Sequence, residues 1–350
     1  MEQVRFGIIG CGVIAPIHAQ AIQETPQAKL VAASDVVERN ARLLAERWPV
    51  DVYTDYRDMI ARDDIDAVSL CVPSGLRAAI AEDCARAGKH ILAEKPLEVT
   101  TERIDRMVRA ADAAGVLLGC VFQSRFADGS RHVRKALDDG RFGTLVLGDA
   151  YIKWYRSQEY YESGAWRGTR KLDGGGALMN QGVHQVDLLL WFMGPVRTVQ
   201  ARTGLVGHHG LEVEDVACAL LTFECGAMGV IEASTAAYPG HAARVEVHGS
   251  AGSAIIEDGE LRFWKFRAEE PEDDAIRAGL NRAAALGSGA GDPTAALTHE
   301  GHRRQIEDFA HAVLEGRKPA VDGREARHAI ALIEAVYQSA ATGETVQMQG

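Results

Sequence analysis

Val4–Ile9 is a short apolar run that ends in a glycine cluster, Gly7-Ile-Ile-Gly10-Cys-Gly12-Val-Ile-Ala15, and opens onto a stretch with helical spacing, Ile14–Ile22. The cluster fits G-x-G-x-x-A. Gly10 permits a tight turn between strand and helix, Gly12 lets the backbone approach a pyrophosphate, and Ala15 allows close helix–strand packing. A helix starting there offers free N–H groups and a favourable dipole to phosphates. Gly10, Gly12, Val13 and Ile14 are therefore expected to line a dinucleotide. Asp35 follows Ala15 by twenty residues, at the end of a second apolar run, Leu30–Ser34. A carboxylate there accepts hydrogen bonds from the adenosine ribose and repels a 2′-phosphate, which favours NAD over NADP. The competing reading is a glycine-rich turn of some other α/β domain, with Asp35 as a turn residue.

Strand-like and helix-like segments alternate through Val116–Val121, and the strands are continuously apolar. That pattern predicts a parallel sheet covered on both faces. Thr100 or Thr101 caps a helix over Thr101–Ala114, which Gly115 stops. After Phe122 the pattern changes. A charged helix, Ser130–Asp139, leads to a long strand, Thr144–Tyr155. A glycine run and an apolar helix, Ala177–Phe192, precede strand-like runs separated by turns, which suggest an open antiparallel sheet. Residues 268–297 read as a mobile loop, and two helices, His299–Leu314 and Arg324–Ala341, close the chain. At roughly 150 residues per domain, two domains are expected. These are a Rossmann doubly wound domain over 1–123 and an α/β substrate-binding and oligomerisation domain over 124–350, with an open, mostly antiparallel sheet.

Of the 350 residues, 38 are Lys or Arg and 49 are Asp or Glu, a net charge of −11. That argues against a general nucleic-acid or anionic-membrane binder, since both need a positive surface. The six cysteines show no CxxC spacing and several lie in apolar runs, as buried free thiols of a reducing compartment would. The N-terminus lacks a signal-peptide pattern, and the strongly apolar run Leu188–Met193 is far short of a membrane span. A cytoplasmic protein is expected.

Gly88-Lys-His-Ile-Leu-Ala-Glu94-Lys95-Pro96, Trp166-Arg167, Gly174-Gly-Gly-Ala-Leu-Met-Asn180-Gln-Gly-Val-His184-Gln-Val-Asp187 and Gln305-Ile-Glu-Asp-Phe309 span nearly the whole chain. In combination with the glycine fingerprint the sequence closely resembles the Gfo/Idh/MocA oxidoreductases. The resemblance implies a Rossmann domain followed by an α/β domain whose open sheet mediates oligomerisation, as a dimer or tetramer. It implies oxidation or reduction of a secondary alcohol on a sugar, cyclitol or sugar nucleotide. It makes Lys95 and His184 the catalytic pair. It also implies cofactor contacts from Pro73, Ser74, Glu94, Lys95, Gln123, Trp166 and Arg167, and substrate contacts from Lys95, Arg156, Asn180 and His184.

Elementary chemistry gives similar roles. Lys95 ends a parallel strand, where ligands of doubly wound sheets bind, and its ammonium can stabilise alkoxide charge. A lone lysine there would otherwise be a surface residue. On an α-helix Asn180, His184 and Asp187 share a face. An imidazole can take a hydroxyl proton near neutral pH, although a satisfied core histidine is the alternative. Asp187 either orients the imidazole or anchors the helix, and the anchor is preferred. Two departures from the family pattern stand out. Asn180 occupies a position where aspartate is common, and the Asn-Gln-Gly-x-His form looks more like the sugar-nucleotide and glycoside branches. Ser74-Gly-Leu-Arg77 stands where relatives often carry asparagine and histidine.

Lys153-Trp154-Tyr155-Arg156-Ser-Gln-Glu-Tyr160-Tyr161 suits either a carbohydrate pocket, with Arg156 binding an anionic group, or ordinary packing. His299-Glu-Gly-His302 is one residue short of H-E-x-x-H and reads as a helix start, so no metal is expected. His208-His209 falls in a turn without a function. The expectation is an NAD-dependent dehydrogenase of a carbohydrate-like alcohol. The alternatives are an NAD-dependent glycoside hydrolase or lyase with transient oxidation, and a non-catalytic NAD-binding sensor.

Overall fold

The structure, a computed structural model, describes residues 2–280 and 299–348. Its elements are β1 (Val4–Ile9), α1 (Ala15–Glu24), β2 (Ala28–Ser34), α2 (Glu38–Arg47), β3 (Asp51–Tyr53), α3 (Tyr56–Ile60), β4 (Ala67–Leu70), α4 (Arg77–Arg86), β5 (His90–Ala93), α5 (Thr101–Ala114) and β6 (Leu118–Cys120). There follow α6 (Asp128–Asp138), β7 (Leu145–Lys153), α7 (Gln158–Glu162), a π-helical turn (Ala177–Gly182), α8 (Val183–Met193), β8 (Val196–Gly204), β9 (Val216–Phe223), β10 (Met228–Ser234), β11 (Arg244–Gly249), β12 (Gly252–Glu257), β13 (Glu260–Phe266), α9 (Pro271–Leu280), α10 (Glu300–Glu315), α11 (Gly323–Thr342) and β14 (Val346–Gln347).

The chain divides into two compact units. The first, Met1–Gln123 with Thr298–Arg327, holds a six-stranded sheet in the order β3-β2-β1-β4-β5-β6, every pair parallel. This is the doubly wound arrangement, whose strand order reverses between β1 and β4. Its strands are apolar because both faces are covered: Val4, Phe6 and Ile8 from β1 pack with Ala19 and Ile22 of α1 and with Ile306 and Phe309 of α10. The α5 helix begins where the Thr100 hydroxyl accepts the Arg103 N–H, and ends at Gly115 in the left-handed region.

The second unit, Ser124–Leu297 with His328–Gly350, holds an eight-stranded sheet in the order β13-β12-β11-β7-β10-β9-β8-β14. Among the described residues, only the β7–β10 pair of this sheet is parallel. The α8 helix packs on one face, against β7 and β11. The other face exposes Leu147, Leu220, Met228 and Phe263.

Three expectations change. Residues 299–327 pack with the first unit, not the second, because α10 covers β1. The helix expected over Ala177–Phe192 begins as a π-helical turn. The loop expected over 268–297 contains α9, and its remainder, 281–297, lies outside the described residues. Among the described residues no helix is long and apolar enough to cross a membrane.

Candidate active site

In the first unit, β1 delivers the chain to Gly10, whose φ is +90°. A Cβ there would come within 2.9 Å of the Cys71 carbonyl group, so glycine is required by both conformation and space. Among the described residues, a Cβ at Gly12 would meet nothing within 4 Å. Val13 is 70% exposed, Ile14 is half-buried, and no described side chain caps the N-terminus of α1. An open cradle at an uncapped helix N-terminus fits a pyrophosphate. Asp35 follows β2 beside it. One carboxylate oxygen accepts the Cys11 N–H at 2.8 Å, and the other accepts the Val37 N–H at 2.8 Å and the Asn40 amide at 3.3 Å. A carboxylate has about four acceptor positions, so capacity for a ribose hydroxyl remains. These residues fit NAD. Pro73 is half-buried and Ser74 buried in the loop after β4, and Gln123 packs against Gly301 of α10.

The β5 strand ends at Glu94, Lys95 and Pro96, with a cis Lys95–Pro96 bond. Lys95 is half-buried. The Glu94 carboxylate turns inward and is buried. One oxygen is shared by His18 Nε2 at 2.9 Å and His302 Nε2 at 3.3 Å, and the other accepts the Lys95 N–H at 3.1 Å. His18 Nδ1 pairs with the Ser69 hydroxyl at 2.7 Å. Burial pushes the Glu94 carboxyl up, but the two imidazoles outweigh it and hold the group well below its usual range. Burial likewise pushes the His18 imidazole down. The three ligand atoms lie within 4.8 Å of one another, close enough to surround a metal ion. They already satisfy each other, however, and among the described residues His302 Nδ1 lacks the outer partner that metal-binding histidines have. The arrangement reads as a hydrogen-bonded carboxylate.

In the second unit the glycine run feeds the π-helical turn. The buried Glu214 carboxylate accepts the Gly176 N–H at 3.1 Å, the Leu178 N–H at 2.9 Å and the Tyr337 hydroxyl at 2.9 Å. A Cβ at Gly176 would clash with the Glu214 carbonyl. This anchor winds the turn wider than an α-helix, so Asn180 and His184 are not the α-helical i,i+4 pair that the spacing suggested. π-Helical turns recur at functional sites. Asn180 donates to Asp173 and accepts from Gln181 at 2.8 Å. His184 is 8% exposed. Asp187 anchors the helix, as preferred above, through a buried two-pronged pair with Arg125 at 2.8 and 2.7 Å.

Arg156 is 3% exposed. Its guanidinium donates to Gln181 at 3.1 Å and to the Tyr155 carbonyl at 2.8 Å, and lies over the Trp154 and Tyr160 rings. The half-buried Arg167 donates to the Tyr160 hydroxyl at 2.5 Å and stacks on Tyr160 and Trp166. Tyr160 also accepts from Gln181 at 3.1 Å. Asn180, Gln181, Tyr160, Arg156 and Arg167 thus form one polar chain leading to the His184 helix. His208, read as a plain turn residue, bridges Asp215 at 2.9 Å and the Arg156 carbonyl at 2.7 Å. Sequence reasoning passed over His18, and it gave Arg77 and His302 no buried partner. Each lies in a helix whose local sequence does not show what it bonds to, so only the fold reveals its partners.

A family model described as an oxidoreductase family with an NAD-binding Rossmann fold matches residues 4–122, and one described as the GFO/IDH/MocA C-terminal domain matches 130–255. The chain is 30% identical to an inositol 2-dehydrogenase of Rhizobium meliloti, covering 97% of each chain. It is 28% identical to a myo-inositol 2-dehydrogenase of Thermotoga maritima, covering 99% of each. Among solved structures it is similar to the WlbA dehydrogenase of Bordetella pertussis in complex with NADH and UDP-GlcNAcA. That likeness has a TM-score of 0.91 and 33% identity, and covers 100% of this chain and 99% of the other.

Proposed function

The chain belongs to the Gfo/Idh/MocA oxidoreductase family, and on that premise we propose that it oxidises a secondary alcohol on a sugar nucleotide or related glycoside, with Lys95 and His184 as the catalytic pair. NAD, when bound, supplies the hydride acceptor. Gly10, Gly12, Val13 and Ile14 hold its pyrophosphate and Asp35 its adenosine ribose. The Lys95 ammonium donates to the reacting oxygen and steadies charge as it develops. His184 takes the hydroxyl proton. The polar chain from Asn180 to Arg167 orients the sugar, its rings covering C–H faces. Pro73, Ser74 and Gln123 border the nicotinamide end.

The observation that carries the redox reading is the open cradle at the N-terminus of α1 beside the Asp35 carboxylate. The choice of a sugar nucleotide is supported by the whole-chain likeness to the WlbA dehydrogenase and by the Asn-Gln-Gly-Val-His form. The test is NADH formation from UDP-GlcNAcA, myo-inositol and levoglucosan side by side. Preferred turnover of UDP-GlcNAcA is expected. Preference for myo-inositol would overturn the substrate class, and product without NADH release would favour transient oxidation.

The protein acts in the cytoplasm as a homo-oligomer. All six cysteines are free thiols, as in a reducing compartment. The exposed apolar residues Leu147, Leu220, Met228 and Phe263 on one face of the second sheet support self-association through that face. A Leu220→Lys, Met228→Lys double variant should sediment at lower mass than the parent, and an unchanged mass would exclude this face.

A further inference from the structure

Arg77 opens α4, yet its side chain is only 5% exposed. Burying a guanidinium costs several kcal/mol unless its donors are used and an opposite charge lies near. Here Nε donates to the Val72 carbonyl at 3.1 Å, while Nη1 donates to the Glu94 carbonyl at 2.6 Å and to the Pro96 carbonyl. Glu94 and Pro96 are the two neighbours of Lys95. One planar cation therefore grips the main chain on both sides of Lys95 and ties it to the loop after β4. Burial pushes the Arg77 pKa down and the Glu94 carboxylate offsets part of that.

The Lys95 N–H completes the arrangement by donating to the Glu94 carboxylate, which His18 and His302 hold in place. Carbonyls can be satisfied by a water or an amide at less desolvation cost than by a charge. A guanidinium adds a rigid fork that fixes angles as well as distances.

We propose that Arg77 is a positioning residue for Lys95: its guanidinium fixes the Glu94–Lys95–Pro96 turn so that the ammonium meets the reacting oxygen in one orientation. This rests on the assignment of Lys95 as a catalytic residue. A misplacement of about 1 Å costs on the order of a hundredfold in rate. The cofactor's pyrophosphate is held by a different turn, Gly10–Ile14, so the loss falls on kcat and spares NAD affinity.

Arg77→Met, Arg77→Lys and Lys95→Ala are compared in the full chain. NAD-binding sites are counted by calorimetry, and turnover per site is measured on UDP-GlcNAcA, myo-inositol and levoglucosan. Amide hydrogen exchange over residues 94–98 gives a readout that needs no substrate. For Arg77→Met the expected result is kcat per site lower by about ten- to a hundredfold, an NAD Kd within about threefold of the parent, and faster exchange at 94–98. Arg77→Lys, which keeps the charge but has one nitrogen for three carbonyls, should recover part of the turnover. It also stands in if the Met variant does not fold. A purely structural role would reduce the number of NAD-binding sites and leave turnover per site intact. Unchanged exchange at 94–98 in Arg77→Met overturns the proposal. So does full turnover per site in Arg77→Met where Lys95→Ala has lost it. Full turnover in Lys95→Ala would instead overturn the reading of Lys95, and this inference with it.

Discussion

The Asp35 carboxylate accepts the Cys11 backbone N–H at 2.8 Å, which ties the acid after β2 to the glycine turn after β1. The same group thus shapes the cradle and fronts the adenosine ribose. NAD should bind at least about tenfold tighter than NADP, a gap of about 1.4 kcal/mol. Asp35→Ser should narrow that gap by removing repulsion of the 2′-phosphate, and should weaken NAD as well, because the turn loses a charged acceptor. Calorimetric titrations of both cofactors check this, and equal affinities in the parent would refute it.

Lys95→Ala and His184→Ala should each lower kcat by roughly a hundredfold or more, the scale of a lost charge-stabilising group or general base. NAD affinity should barely move for His184→Ala, whose helix belongs to the second unit. Steady-state kinetics beside NAD calorimetry separate the two effects. Near-full turnover of either purified variant would remove that residue from the catalytic pair.

Asn180 donates its amide hydrogens to Asp173. Asn180→Asp replaces that bond by two facing carboxylates, which resist ionising together and raise the folded-state pKa of the pair. A raised carboxyl pKa gives stability that is fully present below the unfolded value, near ~4, and is lost as pH rises through the folded value. Thermal unfolding of the variant should therefore match the parent near pH ~4 and fall behind it toward neutrality. A gap that is constant with pH would mean that Asp173 does not face position 180.

Asp273 gives the opposite slope. Burial pushes its carboxyl up, but the Arg141 guanidinium, the Glu270 N–H and the Trp264 indole outweigh that and hold it well below the usual carboxylate range. A depressed pKa gives stability that is present above the unfolded value, near ~3.9, and is lost as pH falls through the folded one. Asp273→Asn should be less stable than the parent at neutral pH, and the gap should shrink on acidification. Denaturant titrations at several pH values measure it.

What could be read in the chain follows how local each determinant is. The turn at Gly10, the cap at Thr100 and the stop at Gly115 depend on neighbours in sequence, and the structure has them where the residues indicated. The three-residue strand Asp51–Tyr53 carries no alternation long enough to detect. The π-helical turn was hidden because Glu214 anchors it from a distant segment. The roles of Arg77 and His302 were hidden in the same way. Their partners are main-chain carbonyls and a carboxylate far along the chain, and a buried cation in a helix looks like a solvated one until the fold is known. Lys95 stood out from other lysines only through the company of Glu94 and Pro96.

The return of α10 to the first unit also sets an order of events on the ribosome. Phe309 packs against Phe6, their rings 6.3 Å apart, and Gln305 donates to the Cys120 carbonyl at 2.5 Å. The helix that covers β1 is thus translated roughly 290 residues after it, a wait of about 15 to 60 s at about 5–20 residues per second. Throughout that interval the apolar surface of β1 beside α1 that Ile306 and Phe309 later cover stays open. A chaperone that shields aliphatic and aromatic surface has its binding site during synthesis, and a message cut short before Glu300 yields a product that keeps that site open.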